Sequence, residues 1–137
     1  MSKLLILHCP EDQLNFLTYF LEKKQYMVKT LTHTIGLFSE ICHYKPDLLL
    51  LDDFFGGTDG RELCRQLRDR PETKALGILV FSASKENFTD YRSFYADDAI
   101  QKPFSPDVLY NKIKSLLSWI PIRKKALNIK DAEPGEF

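Results

Sequence analysis

No part of this chain is apolar for the ~18 residues that a membrane-spanning helix needs. It also lacks an excess of charge: 19 lysines and arginines meet 19 aspartates and glutamates. That balance removes any whole-chain reason to expect a nucleic acid or an anionic membrane as partner. Cysteine is scarce. Cys9, Cys42 and Cys64 are odd in number, widely spaced and without a Cys-x-x-Cys pair. Neither a disulfide framework nor a zinc site is expected, and the thiols read as reduced, in the cytoplasm. There is no internal repeat and no low-complexity segment. Met1 to His8 has too short an apolar part for a signal peptide, and no small-residue cleavage site follows. A glycine-rich phosphate cradle is missing after it, where His8-Cys9-Pro10-Glu11-Asp12 stands. This argues against an enzyme that grips a cofactor phosphate there.

What is present is an ordinary globular chain of 137 residues, 44% hydrophobic, enough for one domain with a real core. Its organising stretch is Pro46 to Gly60. Leu48 to Leu51 run unbroken into Asp52 and Asp53, and a glycine-rich polar turn follows. Such a run suits a strand buried on both faces, with the carboxylates at its carboxyl end. In open α/β sheets, ligands and chemistry gather at that edge.

Four more short apolar runs share the pattern: Leu4–Leu7, Tyr26–Leu31, Ile78–Phe81 and Ala99–Gln101. Helical spacing appears between and after them. Pro10, Glu11 and Asp12 suit a first helical turn, and Leu14, Leu17 and Leu21 with Phe16 and Phe20 continue that helix. Thr32 or Thr34 is expected to cap a second helix striped by Ile35, Phe38, Ile41 and Cys42, which Pro46 stops. A third helix covers Arg61–Arg68, and a fourth Glu86–Tyr95, with Phe88, Tyr91 and Phe94 or Tyr95 inward. Ser105-Pro106-Asp107 opens the last one, striped by Val108, Leu109, Ile113, Leu116 and Leu117. Alternating strands and helices predict a parallel sheet covered on both faces with right-handed crossovers. The domain is expected over 1–120 and a tail or linker over 121–137, where Arg123-Lys124-Lys125 reads as a solvated run.

The strand ends bring together His8, Cys9, Asp52, Asp53, Ser82 and Lys102. Asp52 suits a nucleophile toward a phosphoryl group, Ser82 a hydrogen-bond donor to its oxygens, and Lys102 a cation offsetting its charge. Taken singly, each has a plainer reading, since strands end in polar residues where they meet water.

Pro46-Asp47-Leu48-Leu49-Leu50-Leu51-Asp52, Gly57-Thr58-Asp59-Gly60-Arg61-Glu62-Leu63-Cys64, Phe81-Ser82-Ala83 and Ala96-Asp97-Asp98-Ala99-Ile100-Gln101-Lys102-Pro103-Phe104 together resemble the receiver domain of bacterial two-component response regulators. The likeness spans roughly Lys3 to Ser118. It implies an α/β, flavodoxin-like, doubly wound five-stranded parallel sheet in the order 2-1-3-4-5, with helices on both faces. It implies phosphorelay signalling in which a histidine kinase or phosphotransfer protein supplies a phosphoryl group to Asp52. Ser82 and Lys102 would contact that group, and the Lys102–Pro103 bond would be cis. The domain would be regulatory rather than an enzyme, with self-catalysed phosphoryl acceptance at most.

Mg2+ is the cofactor the resemblance implies, with the Phe54 backbone carbonyl and Asp52 among its ligands. The family's two acidic residues after the first strand are here His8 and Cys9, neither suited to a hard cation. The metal site is therefore expected to be weak or absent, with Glu11 and Asp12 as candidate substitutes. Ala99 stands where the family often carries a switching aromatic. Gly56 replaces a common proline, which should loosen the loop after Asp52. A protonated His8 beside Asp52 would take the place of the missing cation; a neutral His8 bonded to a loop carbonyl is the plainer reading. The alternative function is a phosphorylation-independent pseudo-receiver serving as a protein-interaction module. No output domain follows Ser118, so a downstream partner or a missing output domain is expected, with no direct nucleic-acid or membrane contact. A homodimer is left open, because no residue pattern specifies one.

Overall fold

The computed structural model describes residues 1–7, 11–55 and 57–136, and their side chains except those of 11, 12, 55 and 128–136. Five strands, β1 (Lys3–Leu7), β2 (Met27–Leu31), β3 (Leu48–Asp52), β4 (Gly77–Ser82) and β5 (Asp98–Gln101), form one sheet. Every pairing is parallel, and the order is β2-β1-β3-β4-β5. This is the predicted order. β3 is central because its residues are apolar on both faces, and all five of them are buried.

The period-two alternation of the strands sorts the leucines into two cores. Leu4, Ile6, Leu48, Leu50, Leu79, Phe81 and Ile100 pack with Leu14, Leu17 and Leu21 of α1 (Glu11–Lys23) and with Leu109, Ile113, Leu116 and Ile120 of α5 (Pro106–Glu136). Leu5, Leu7, Leu49, Leu51, Ile78 and Val80 pack against the other layer. That layer offers Leu37 and Ile41 of α2 (Leu37–Tyr44) and Cys64 and Leu67 of α3 (Gly60–Arg68). Burying one such leucine contributes ~2 kcal/mol.

Three elements differ from expectation. Neither threonine caps α2. Gly36 does, at φ 77°, a left-handed conformation that glycine adopts without a Cβ penalty. The helix then starts at Leu37, so its buried pair is Leu37 and Ile41, and Ile35 is left 80% exposed. Second, the helix expected over Glu86–Tyr95 is split. α4 covers Lys85–Thr89, and a 3-10 turn follows over Tyr91–Phe94. Phe88 and Phe94 are six residues apart and cannot share one helical face. The break lets Phe94 bury completely while Tyr95 turns outward at φ 69°.

Third, α5 continues past the expected boundary at 120 and carries Pro121 inside it. Arg123 is not a solvated tail residue. It pairs with Asp97 and donates to the carbonyls of Ala75 and Leu76 at 3.0 and 3.1 Å. No helix among the described residues is long and apolar enough to cross a membrane.

Candidate functional site

Asp52 is the last residue of β3, 1% exposed, with its backbone held beside Phe81 of β4. Lys102 follows β5, and its Nζ donates to Asp52 Oδ1 at 2.7 Å. The loop carrying Lys102 is fixed by its own backbone: Lys102 N donates to Ser82 O at 2.7 Å, and the Lys102–Pro103 peptide is cis, as expected. Phe104 stacks on Phe81 with ring centroids 5.4 Å apart, which pins the loop to the core.

Ser82 ends β4 and is fully buried. Its hydroxyl donates to Asp53 Oδ2 at 2.6 Å and accepts from Ser84 N at 3.0 Å. Asp53 is buried as well. Its backbone N donates to Phe81 O at 2.9 Å, and its Oδ2 accepts a second bond from Asn87 Nδ2 at 2.8 Å. Asn87 lies in the first turn of α4, whose cap is the Ser84 hydroxyl accepting from Asn87 N at 3.2 Å.

Asp59 caps α3 by accepting from Arg61 N at 2.9 Å, and its carboxylate also accepts from Arg61 Nε and Nη2, both at 3.1 Å. The Arg61 guanidinium holds the Asp59 carboxyl below its ordinary range. Gly60 is required where α3 meets β3. A Cβ there would lie 2.1 Å from the Asp52 carbonyl oxygen.

The structure thus brings Asp52 and Lys102 together and sets Ser82 at the end of the adjoining strand, with its hydrogen turned to Asp53. Ala99 is fully buried in β5, paired with Val80. Phe54 lies in a two-residue strand, Phe54–Phe55, that pairs with Thr58–Asp59. His8, Cys9 and Gly56, and the side chains of Glu11 and Asp12, lie outside the described residues. Among the described residues, no cluster of three or more His, Cys, Asp and Glu side chains is arranged for a metal ion. Of the expected ligands, the Asp52 carboxylate and Phe54 carbonyl are hard oxygens of the kind magnesium takes.

Asn87 and Arg61 are not among the residues expected at the site, and Asp53 is expected at the strand ends but without a role of its own. Asp53 was legible as the second carboxylate at the strand end. Asn87 carries no signal without knowledge of where α4 docks.

The family described as "Response regulator receiver domain" matches residues 9–114. Among curated proteins, the chain is 34% identical over 119 residues to the phosphate regulon transcriptional regulatory protein PhoB of Rhizobium meliloti, covering 85% of this chain and 52% of that one. It is 31% identical over 134 residues to the alkaline phosphatase synthesis transcriptional regulatory protein PhoP of Bacillus subtilis, covering 96% and 55%. The chain therefore spans about half the length of these relatives. Among solved structures, it is similar to the signal receiver domain of a signal transduction histidine kinase from Syntrophus aciditrophicus, with a TM-score of 0.77, 25% identity and coverage of 86% and 91%. The response regulator TrrA of Thermotoga maritima, in complex with Mg(2+)-BeF, has the same fold at a TM-score of 0.74, 24% identity and coverage of 85% and 99%.

Proposed function

The chain belongs to the response regulator receiver domains of phosphorelay signalling, and from that premise we propose that Asp52 accepts a phosphoryl group. Such domains are regulatory, and response regulators interact with histidine kinases or phosphotransfer proteins. The observation that carries the reading is the buried Asp52 carboxylate with the Lys102 ammonium 2.7 Å away. An oxygen of Asp52 attacks phosphorus, and the donor's leaving group departs with the electron pair. Catalysis of such a transfer is mostly positioning and charge stabilisation. Lys102 shares its charge between Asp52 and the incoming phosphoryl oxygens. Magnesium, held by the Asp52 carboxylate and the Phe54 carbonyl, would supply further positive charge to that oxygen set. Glu11 and Asp12 are its candidate acidic supplements.

Modification then changes what the surface around α4, β5 and α5 binds, in a downstream partner or an output unit. The buried Ala99 offers no aromatic ring to swing inward, so the change is routed through other contacts of α4. The test is incubation with a small-molecule phosphodonor and magnesium, followed by intact mass. The expected result is a gain of one phosphoryl group that Asp52→Asn abolishes. No gain dependent on Asp52 at high magnesium would sink the reading and leave a pseudo-receiver.

A further inference from the structure

Asp53 has no part in the transfer described above, yet it is 8% exposed and its Oδ2 receives two side-chain donors from other elements. Ser82 has one hydroxyl hydrogen. Its two acceptors in reach are Asp53 Oδ2 at 2.6 Å and the Ser84 carbonyl at 3.0 Å. The shorter contact to an ionised oxygen takes the hydrogen, because charge-assisted bonds are roughly twice as strong as neutral ones. Burial strengthens it further.

The carboxylate itself is held from the other side. Asn87 Nδ2 donates to the same oxygen at 2.8 Å, and Arg61 Nη1 donates to Asn87 Oδ1 at 3.4 Å, which sets the amide's orientation. Asp59 anchors Arg61 in turn. Asp53 therefore ends a string of side chains that runs from the start of α3 through the first turn of α4 to Ser82.

We propose that Asp53 is a positioning residue for phosphoryl acceptance at Asp52: it holds the Ser82 hydrogen in the unmodified protein and must yield it to the phosphoryl group. The proposal rests on Asp52 being the acceptor. In the transfer, the P–O bond to Asp52 forms as the donor's P–O bond breaks, and Ser82 loses no proton; it only redirects one. Two things oppose that redirection. The charge-assisted bond to Asp53 is lost, and a new anion appears on the residue next to a buried carboxylate. Asp53→Asn keeps the shape and removes both.

The experiment measures the initial rate of Asp52 modification by a small-molecule phosphodonor with magnesium, using intact mass and peptide mapping, in wild type, Asp53→Asn, Ser82→Ala and the double variant. Asp53→Asn is expected to react faster by about tenfold, and this gain should shrink in the Ser82→Ala background, where only the relief of charge repulsion remains. A role for Asp53 in general packing would not depend on Ser82. If wild type is inert and Asp53→Asn is modified at Asp52, the proposal also holds. An equal or slower Asp53→Asn rate, with wild type modified, overturns the proposal and leaves Asp52 as the acceptor. A gain that survives Ser82→Ala undiminished overturns it too. No modification of Asp52 in any variant overturns both readings. Should Asp53→Asn fail to fold, Asn87→Ala replaces it. Removing the second donor tightens the hold of Asp53 on Ser82, so slower modification is expected, and an unchanged or faster rate overturns the proposal.

Discussion

Lys102 Nζ and Asp52 Oδ1 are 2.7 Å apart, and this pair joins the loop after β5 to the end of β3. Asp52 is 1% exposed, whereas the Lys102 side chain keeps 27% of its surface in water. The contact thus ties a buried anion to a cation that can still reach an incoming group.

Lys102→Met tests both roles of the lysine. Removing one partner of a buried pair strands the other, and the partial exposure of Lys102 moderates the loss, so about 2 kcal/mol of stability should go. Urea denaturation of the variant measures it. Phosphoryl acceptance by Asp52 should slow by at least ~10-fold in the same variant, because a cation at the developing charge is gone.

Gly60→Ala should be among the most damaging single-methyl changes in the chain. The added carbon would sit 2.1 Å from the Asp52 carbonyl oxygen and 2.8 Å from Leu51 Cδ1. Backbone cannot give way as a side chain does, so α3 must move off β3, at a cost of about 3 kcal/mol. The midpoint of thermal unfolding, followed by circular dichroism, should fall by roughly 10 °C.

Asp97 is the hub at the opposite end of the sheet. It accepts from Arg68 Nη2 at 3.1 Å, from Ile78 N at 2.8 Å and from Arg123. Burial pulls the Arg68 guanidinium below its ordinary value, and Asp97 opposes that shift. Asp97→Asn leaves two guanidiniums facing a neutral side chain and should cost about 3 kcal/mol. Arg123→Met removes one of two cations and should cost about 1 kcal/mol. The double variant should fall short of the sum, because the two residues share one interaction. Denaturant midpoints of the three variants decide it.

Cys64 gives a pH dependence with a defined sign. Burial pushes its thiol up to about 12, so the folded chain keeps the proton. The unfolded thiol ionises near ~8.5. Stability from this group is therefore full below that value and lost as pH rises toward 12, by about 1.4 kcal/mol per unit in between. Wild type should lose stability relative to Cys64→Ala between roughly pH 9 and 11 in urea melts. At neutral pH, a thiol reagent should label the exposed Cys42 and spare Cys64 until unfolding.

The parts of the fold that could be read from the chain are those set by local periodicity. Leu48 to Leu51 announce a central strand because nothing polar interrupts them. Ser105-Pro106-Asp107 announces the start of α5, which begins at Pro106. α2 and α4 were misread where the deciding residue answers to a neighbour. Gly36 caps α2 by adopting a left-handed φ, and Phe94 breaks away from α4 to reach the core against α3.

The site divides the same way. Asp52, at a strand's carboxyl end beside a polar turn, follows from the order of residues along the chain, since a buried strand must stop where charge begins. The alternation of strand and helix set the sheet in the same manner. The partners of Ser82 and Arg123 do not follow. The Ser82 hydroxyl has the Asp53 carboxylate at 2.6 Å and the Ser84 carbonyl at 3.0 Å within reach, and β3, β4 and α4 together decide those distances. Arg123 is a basic residue among others until β5 brings Asp97 beneath it. Sequence by itself determined which groups stand at the sheet's edge. Only the packing of separate elements decided which of them touch, because hydrogen bonds are short-ranged and the residues that share them are as many as 50 positions apart.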